Sequence, residues 1–153
     1  MFTLIHVVLS LLGMIAGLVL VGGLLSGRRL DGWAALFLGT TILTNVSGYG
    51  FPADGVLPSH IVGGISLVIL ALATFALYAK GAAGSWRRVF TIGSVAALYL
   101  NVFVLIVQLF FKVPAMAALA PTQSEPPFAI TQLVVLVLFV ALGRAATRGY
   151  QRA

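Results

Sequence analysis

The sequence predicts an all-α integral membrane protein, a five-transmembrane-helix up-and-down bundle with its N-terminus outside and its C-terminus cytoplasmic. Three features support this fold class: a composition that is 61% hydrophobic and 8% charged, five apolar stretches separated by short gaps, and cations confined to every second gap. A water-soluble globule of 153 residues needs more polar surface than this composition supplies. The whole chain is therefore expected to form one transmembrane helical domain.

The spans follow from hydropathy, because about 20 apolar residues cross a hydrocarbon core of about 30 Å. No cation precedes the first apolar stretch and no small-residue cleavage site follows it, so we expect a retained span rather than a cleaved signal peptide. The gaps are short enough to make consecutive spans antiparallel neighbours. The five predicted spans are Phe2–Leu25, Trp33–Tyr49, Leu57–Ala79, Val89–Phe111 and Phe128–Gly143.

The second and fifth spans are the shortest. The fifth gains length if Arg144 extends its side chain to the inner interface. The segments Gly50–Val56 and Lys112–Pro127 are rich in proline, which cannot continue a helix. We expect both of them to form ordered loops or short interfacial turns.

Charge sets the predicted orientation. Short loops rich in Lys and Arg stay on the cytoplasmic side. Because the cations are split among three segments, they do not form the continuous basic face that nucleic acid requires, and anionic lipid headgroups are the expected partner. Eight of the nine cations lie in the first gap, the third gap and the tail: Arg28, Arg29, Lys80, Arg87, Arg88, Arg144, Arg148 and Arg152.

Polar side chains of the predicted spans gather at one depth. At 1.5 Å per residue, His6, Asn45, Gln108 and Gln132 each lie about 6–8 Å below the outer edge of their spans. His60 lies near the outer start of the third span. Unsatisfied polar groups are costly in hydrocarbon, so this layer is predicted to face inward and to bond to itself, hold water or hold a ligand.

The two histidines suggest a haem b hypothesis. His6 and His60 at matched depth could supply two imidazole nitrogens to a haem iron. Gly13 and Gly64 lie one or two turns deeper, where a flat macrocycle needs space. A bare metal ion is less favoured, because zinc or copper normally takes three or more protein ligands and this depth offers only two. The alternative is that both histidines only hydrogen-bond to neighbouring groups.

A quinone is the second ligand hypothesis. His6, Asn45, Gln108 and Gln132 around an apolar cleft would suit quinone carbonyls or the head of a lipid. The predicted spans contain no Asp or Glu, which disfavours a carboxylate proton relay, and a small channel or carrier is kept as a fallback. The sequence carries no hydrolase or phosphate-binding motif, so catalysis by this chain alone is not expected.

Other polar residues have predicted structural roles. Asn101 lies near the middle of the fourth span and is expected to bond across to Thr41 or Thr44, at comparable depth in the second span. Lys112 is expected to extend to the outer interface. Alternatively, Lys112 forms a salt bridge to Asp54 or Glu125, or it contacts an anion in the cavity.

Four stretches carry a resemblance: Arg28–Leu36, Leu57–Gly64, Tyr99–Gln108 and Leu119–Phe128. They resemble stretches of small, uncharacterised, polytopic bacterial inner-membrane proteins of similar length. The resemblance implies a multi-pass protein of the bacterial inner membrane. It carries over no activity and no functional residue.

Two functional interpretations follow. In the first, the chain is an accessory or structural subunit of a larger membrane complex, bound to a membrane-protein partner or to copies of itself. In the second, it is an electron-transfer module that binds haem b or a quinone. Small size and the lack of catalytic groups favour the first, and the polar layer favours the second. The subunit role is the prediction.

Overall fold

The computed structural model describes residues 1–52, 55 and 58–152, and every regular element within them is an α-helix. Five helices are long and one is short. Each predicted span corresponds to one of the long helices. The helices are α1 (Phe2–Leu25), α2 (Asp31–Gly48), α3 (Pro58–Tyr78), α4 (Trp86–Lys112), α5 (Pro114–Leu119) and α6 (Pro126–Arg152).

Several predicted ends are wrong, although α1 has its predicted limits. α2 begins at Asp31 rather than Trp33, since a carboxylate is favourable in the first turn of a helix. α4 begins at Trp86 rather than Val89, and α6 continues beyond Gly143 to Arg152. Hydropathy locates the edge of the lipid, whereas a helix can continue past that edge with arginines on its surface. The predicted start of α3 at Leu57 and the acidic residue Asp54 lie outside the described residues.

α1 and α2 form an antiparallel pair along almost their whole lengths. His6 meets Ser47 at one end, Gly13 lies against Thr41, and Gly17 lies against Phe37. α2 has 18 residues, so it is about 27 Å long. It is therefore nearly as long as the hydrocarbon core of a bilayer is thick.

α4 is the central helix of the bundle. It packs against α1, α3 and α6 and, at its C-terminal end, against α5. α2 lies between α1 and α3, while α6 also contacts α1. α6 approaches the end of α1 closely at Gly149, where an added Cβ would collide with the carbonyl oxygen of Leu25.

The main core fills the half of the bundle nearest Gly149. Its fully buried large side chains include Leu20, Leu24, Phe37 and Phe90. A second, smaller cluster of Ile106, Phe110 and Ala120 lies at the other end, beneath α5. The segment predicted to be loop or turns after Lys112 contains the short helix α5, and α6 begins at Pro126 within it.

Among the described residues, four helices are long and apolar enough to cross a membrane: α1, α3, α4 and α6. α2 is not among them, because Asp31 and Asn45, with smaller contributions from its threonines, lower its hydropathy. The outward surfaces of the long helices are mostly Leu, Ile and Val side chains. These apolar helices are those of a small integral membrane protein.

Candidate functional site

His6 is held by the C-terminal end of α2. Its Nδ1 lies 2.8 Å from the hydroxyl of Ser47, and that hydroxyl also donates to the carbonyl oxygen of Thr44 at 3.0 Å. A hydroxyl has one hydrogen, so both contacts are satisfied when Nδ1 of His6 donates to Ser47. The ring also meets Phe51 edge-on at 5.0 Å. His6 thus joins α1 to the end of α2.

His60 is held by Tyr49, two residues after Ser47. Its ring stacks on Tyr49 with centroids 5.2 Å apart, and the Tyr49 hydroxyl donates to the carbonyl oxygen of His60 at 2.6 Å. Both histidines therefore pack against residues 47–51, at what we call the histidine end of the bundle. His6 belongs to α1 and His60 to α3, so this one segment contacts both helices.

The glycines below the histidines are sites of close helix packing. A Cβ at Gly13 would lie 3.0 Å from the Thr41 hydroxyl oxygen and 3.2 Å from that of Thr40. A Cβ at Gly64 would lie 3.2 Å from the Tyr49 hydroxyl. Side chains of α2 and of Tyr49, the residue after it, thus occupy the space that a macrocycle would need. Haem at either place would have to displace them.

Two asparagines bond across helices. Asn45 donates to the hydroxyl of Ser66 on α3 at 3.2 Å, and also to the carbonyl oxygen of Thr41 in its own helix at 2.8 Å. Asn101 donates to the hydroxyl of Thr41 at 3.4 Å, one of the two partners that its depth predicts. Thr41 is completely buried. α2 is therefore bonded to α3 and α4 as well as to α1.

The remaining predicted polar residues divide into buried and exposed sets. Gln132 is buried and its amide donates to the carbonyl oxygen of Phe103 at 3.2 Å, which joins α6 to α4. Gln108 is exposed, so the prediction that the whole layer faces inward is wrong for this residue. Lys112 is exposed at the end of α4. Among the described residues it forms no ion pair with Glu125, and Asp54 lies outside them.

Glu125 organises the turn before α6. Its carboxylate accepts hydrogen bonds from the backbone N–H groups of Thr122 and Ser124 and from the Thr122 hydroxyl. Desolvation alone would raise the pKa of Glu125, but these hydrogen bonds outweigh it and hold the pKa below its ordinary value. The same turn includes Gln123, which donates to the carbonyl oxygen of Val107 on α4 at 3.1 Å. The sequence analysis did not identify this contact.

The opposite end of the bundle is joined by arginines, and we call it the arginine end. Arg29 pairs with Asp31 at 2.5 Å and donates to the carbonyl oxygen of Gly81 at 2.8 Å. The hydrogen bond to Asp31 raises the pKa of Arg29. Arg29 therefore connects the turn after α1 with the turn before α4.

Arg87 connects the same end to the tail of α6. It donates to the carbonyl oxygen of Tyr150 at 3.1 Å, and its guanidinium lies 4.8 Å from the centre of the Tyr150 ring. Tyr150 lies beyond Gly143, the predicted end of the fifth span, so the sequence predicted no contact for it. The sequence signal for it was an aromatic residue among arginines, a pairing that favours cation–π contact.

Most of these polar side chains thus form hydrogen bonds that join one helix to another. His6, Asn45 and Asn101 connect α2 to three neighbours, and Gln132 connects α6 to α4. Within the described residues, no three His, Asp or Glu side chains are grouped so that they could hold a metal ion. Comparison with known protein families, curated proteins and solved structures found no match.

Proposed function

We propose that this protein is a five-span inner-membrane subunit with its N-terminus outside, and that it stabilises a larger membrane complex. In this role it contributes packing surface and performs no catalytic step itself. The partner is another membrane protein or further copies of this chain.

The observation that carries the proposal is the use of the polar residues at the histidine end. His6 and Asn45 bond to side chains of neighbouring helices. Each bond fixes the rotation and register of one helix against another, which is how polar groups contribute within a bilayer. A rigid bundle with an apolar exterior is what a structural subunit requires.

The arginine end supports the proposed orientation. Contacts of Arg29 and Arg87 bring the first gap, the third gap and the tail together at one end. Eight of the nine cations belong to those three segments. Because loops rich in Lys and Arg are retained in the cytoplasm, this end is proposed to be the cytoplasmic one.

Single cysteines test the number of spans and the orientation. The chain has no cysteine, and four exposed serines lie outside the cores of the long helices: Ser26, Ser59, Ser85 and Ser124. Each would be changed to cysteine separately and treated in intact cells with a membrane-impermeant maleimide. We expect S59C and S124C to react at once, and S26C and S85C to react only after the cells are permeabilised.

The unsubstituted chain has no cysteine and serves as the control, because it should not react with the maleimide. The labelling pattern of the four variants separates the alternatives. If α2 does not span, positions 26 and 59 label from the same side, which contradicts the five-span proposal. If all four positions label in the reverse pattern, the helix count stands and the orientation is wrong.

The subunit role is tested by gentle extraction. Membranes solubilised in a mild detergent would be separated by native electrophoresis, followed by native mass spectrometry of the band. We expect the 16.0 kDa chain to migrate in a larger particle of defined stoichiometry. Co-expression of two differently tagged copies distinguishes a homo-oligomer from a complex with another protein. Recovery of the chain only as a monodisperse monomer would overturn the proposal.

A further inference from the structure

A groove of about 590 Å³ runs between α4 and α6 on the outer surface of the bundle. At its inner end the Tyr99 and Phe139 rings meet at 5.6 Å. At its other end it reaches the arginine end of the bundle, where Arg88 and Gln151 line it. The groove therefore extends along the helices rather than into the core.

The length of the groove matches one leaflet of a bilayer. From Arg88 to Tyr99, α4 rises about 16 Å. Half of a hydrocarbon core of about 30 Å is about 15 Å. A groove that begins among arginines at the interface thus ends near the middle of the membrane.

The floor of the groove is apolar. It is formed by aliphatic side chains of both helices, including Ile92 and Ala96 on α4 and Leu136 and Val140 on α6. Ile92, Leu136 and Val140 are exposed. This floor presents only hydrocarbon to an occupant.

The rim at the arginine end is strongly positive. Arg88, Arg144 and Arg148 line it, and none of its lining residues is acidic. Asp31 is paired with Arg29, and Glu125 lies in the turn at the histidine end. The three guanidinium groups therefore meet no carboxylate among the groove's lining residues.

Arg88 is held in position by the tail of α6. With the amide of Gln151 oriented to satisfy its neighbours, the Gln151 oxygen accepts from Nε and Nη2 of Arg88 at 3.1 and 3.2 Å. Thr147 lies in the same lining, and its hydroxyl donates to the carbonyl oxygen of Gly143 within α6 at 2.7 Å. A cationic rim of this kind, continuous with an apolar floor, matches the charge and polarity of an anionic phospholipid.

We propose that this groove is a binding site for an anionic phospholipid, with the phosphate on Arg88, Arg144 and Arg148 and one acyl chain along the floor. The site depends on the membrane placement of α4 and α6. It does not depend on the subunit role, nor on which side of the membrane the arginine end lies.

The test measures lipid retained by the full chain. Protein reconstituted in nanodiscs of phosphatidylglycerol, or of phosphatidylcholine as the neutral comparison, would be released into the gas phase and its bound lipids counted by native mass spectrometry. We expect phosphatidylglycerol to be retained selectively. Because each arginine near an anionic headgroup contributes about fivefold in affinity, the loss of three in R88Q/R144Q/R148Q should lower the apparent affinity by roughly a hundredfold.

A matched triple variant controls for net charge. R28Q/K80Q/R152Q removes three exposed cations from the same end of the bundle, and none of them lines the groove. We expect this variant to retain phosphatidylglycerol within about twofold of the unsubstituted chain. An equal loss in the two triple variants would mean general attraction to the membrane surface and would overturn the site.

A second pair of variants tests the acyl-chain floor. A96F fills the groove, whereas V137F adds the same ring at an exposed position of α6 outside the groove. We expect retained lipid to fall in A96F and to be unchanged in V137F. Equal retention by both variants, or equal retention of phosphatidylcholine and phosphatidylglycerol, contradicts the proposal and would instead suit a groove covered by a partner helix. Neither position is fully buried, so we expect both variants to fold. Helix content measured by circular dichroism checks this.

Discussion

The guanidinium of Arg29 donates a 2.8 Å hydrogen bond to the carbonyl oxygen of Gly81, a residue 52 positions later in the chain. This bond joins the turn between α1 and α2 to the turn between α3 and α4. It follows that the two arginine-containing gaps lie at the same end of the bundle. The alternation of charge along the sequence therefore corresponds to an alternation of ends in space, whichever side of the membrane each end faces.

Replacing Arg29 should loosen that end. R29Q removes the ion pair with Asp31 and the bond to Gly81 together. Because the Arg29 side chain is partly exposed, solvent screens the pair and we expect a loss of only about 1 kcal/mol in the free energy of unfolding. The measurement is unfolding in mixed micelles followed by circular dichroism. R28Q removes the same charge from the exposed neighbour and should have a smaller effect; equal effects would contradict a specific role for Arg29.

The hydrogen bond from Asn101 to Thr41 should appear as a coupling energy. In a double-mutant cycle of N101L and T41V, we expect about 0.6 kcal/mol, the average for such bonds between membrane helices. Thr40 provides the control, because its hydroxyl donates to the carbonyl oxygens of Leu36 and Phe37 within α2. A cycle of N101L with T40V should show almost no coupling. Similar coupling in both cycles would mean that packing, not this bond, links the helices.

Gly149 should tolerate no side chain. An added methyl group there would collide with the carbonyl oxygen of Leu25 and lie 2.9 Å from that of Leu24. Backbone atoms cannot move aside as a flexible side chain can, so α6 must shift away from α1. We expect G149A to cost about 1–3 kcal/mol in unfolding free energy, the usual range for overpacking. At Gly39 a Cβ would meet nothing within 4 Å, so G39A should be neutral or slightly stabilising.

The sequence predicts more of the fold than of the site. Apolar length alone predicted the limits of α1, and depth alone predicted that Asn101 bonds to Thr41 or Thr44, without deciding between them. The outward position of Gln108 was not predictable, since it depends on how α4 is rotated among five neighbouring helices. The close contact of Gly149 with α1 depends on tertiary packing beyond the predicted end of the fifth span. Ser66, the partner of Asn45, could have been identified as a polar residue within an otherwise apolar stretch.

The turn held by Glu125 should respond to acid. Its folded-state pKa is lowered, so its contribution to stability is present above the ordinary glutamate value of 4.5 and is lost as the pH falls through the lower, folded value. We expect E125Q to be less stable than the unsubstituted chain at neutral pH. The difference in melting temperature between the two proteins should disappear at a pH below the folded pKa. A difference that stays constant with pH would mean that the carboxylate charge has no role in this turn.

Absorbance spectroscopy of the purified protein separates the subunit role from the haem hypothesis. Because α2 side chains fill the space beside Gly13 and Tyr49 fills that beside Gly64, we expect no Soret band even from cells supplied with haem. H6A should instead reduce stability by about 1 kcal/mol through loss of the bond to Ser47. S47A removes the same bond from the other partner, so the two variants should be similar. A Soret band that H6A and H60A abolish and S47A leaves in place would favour the electron-transfer role and overturn the packing argument.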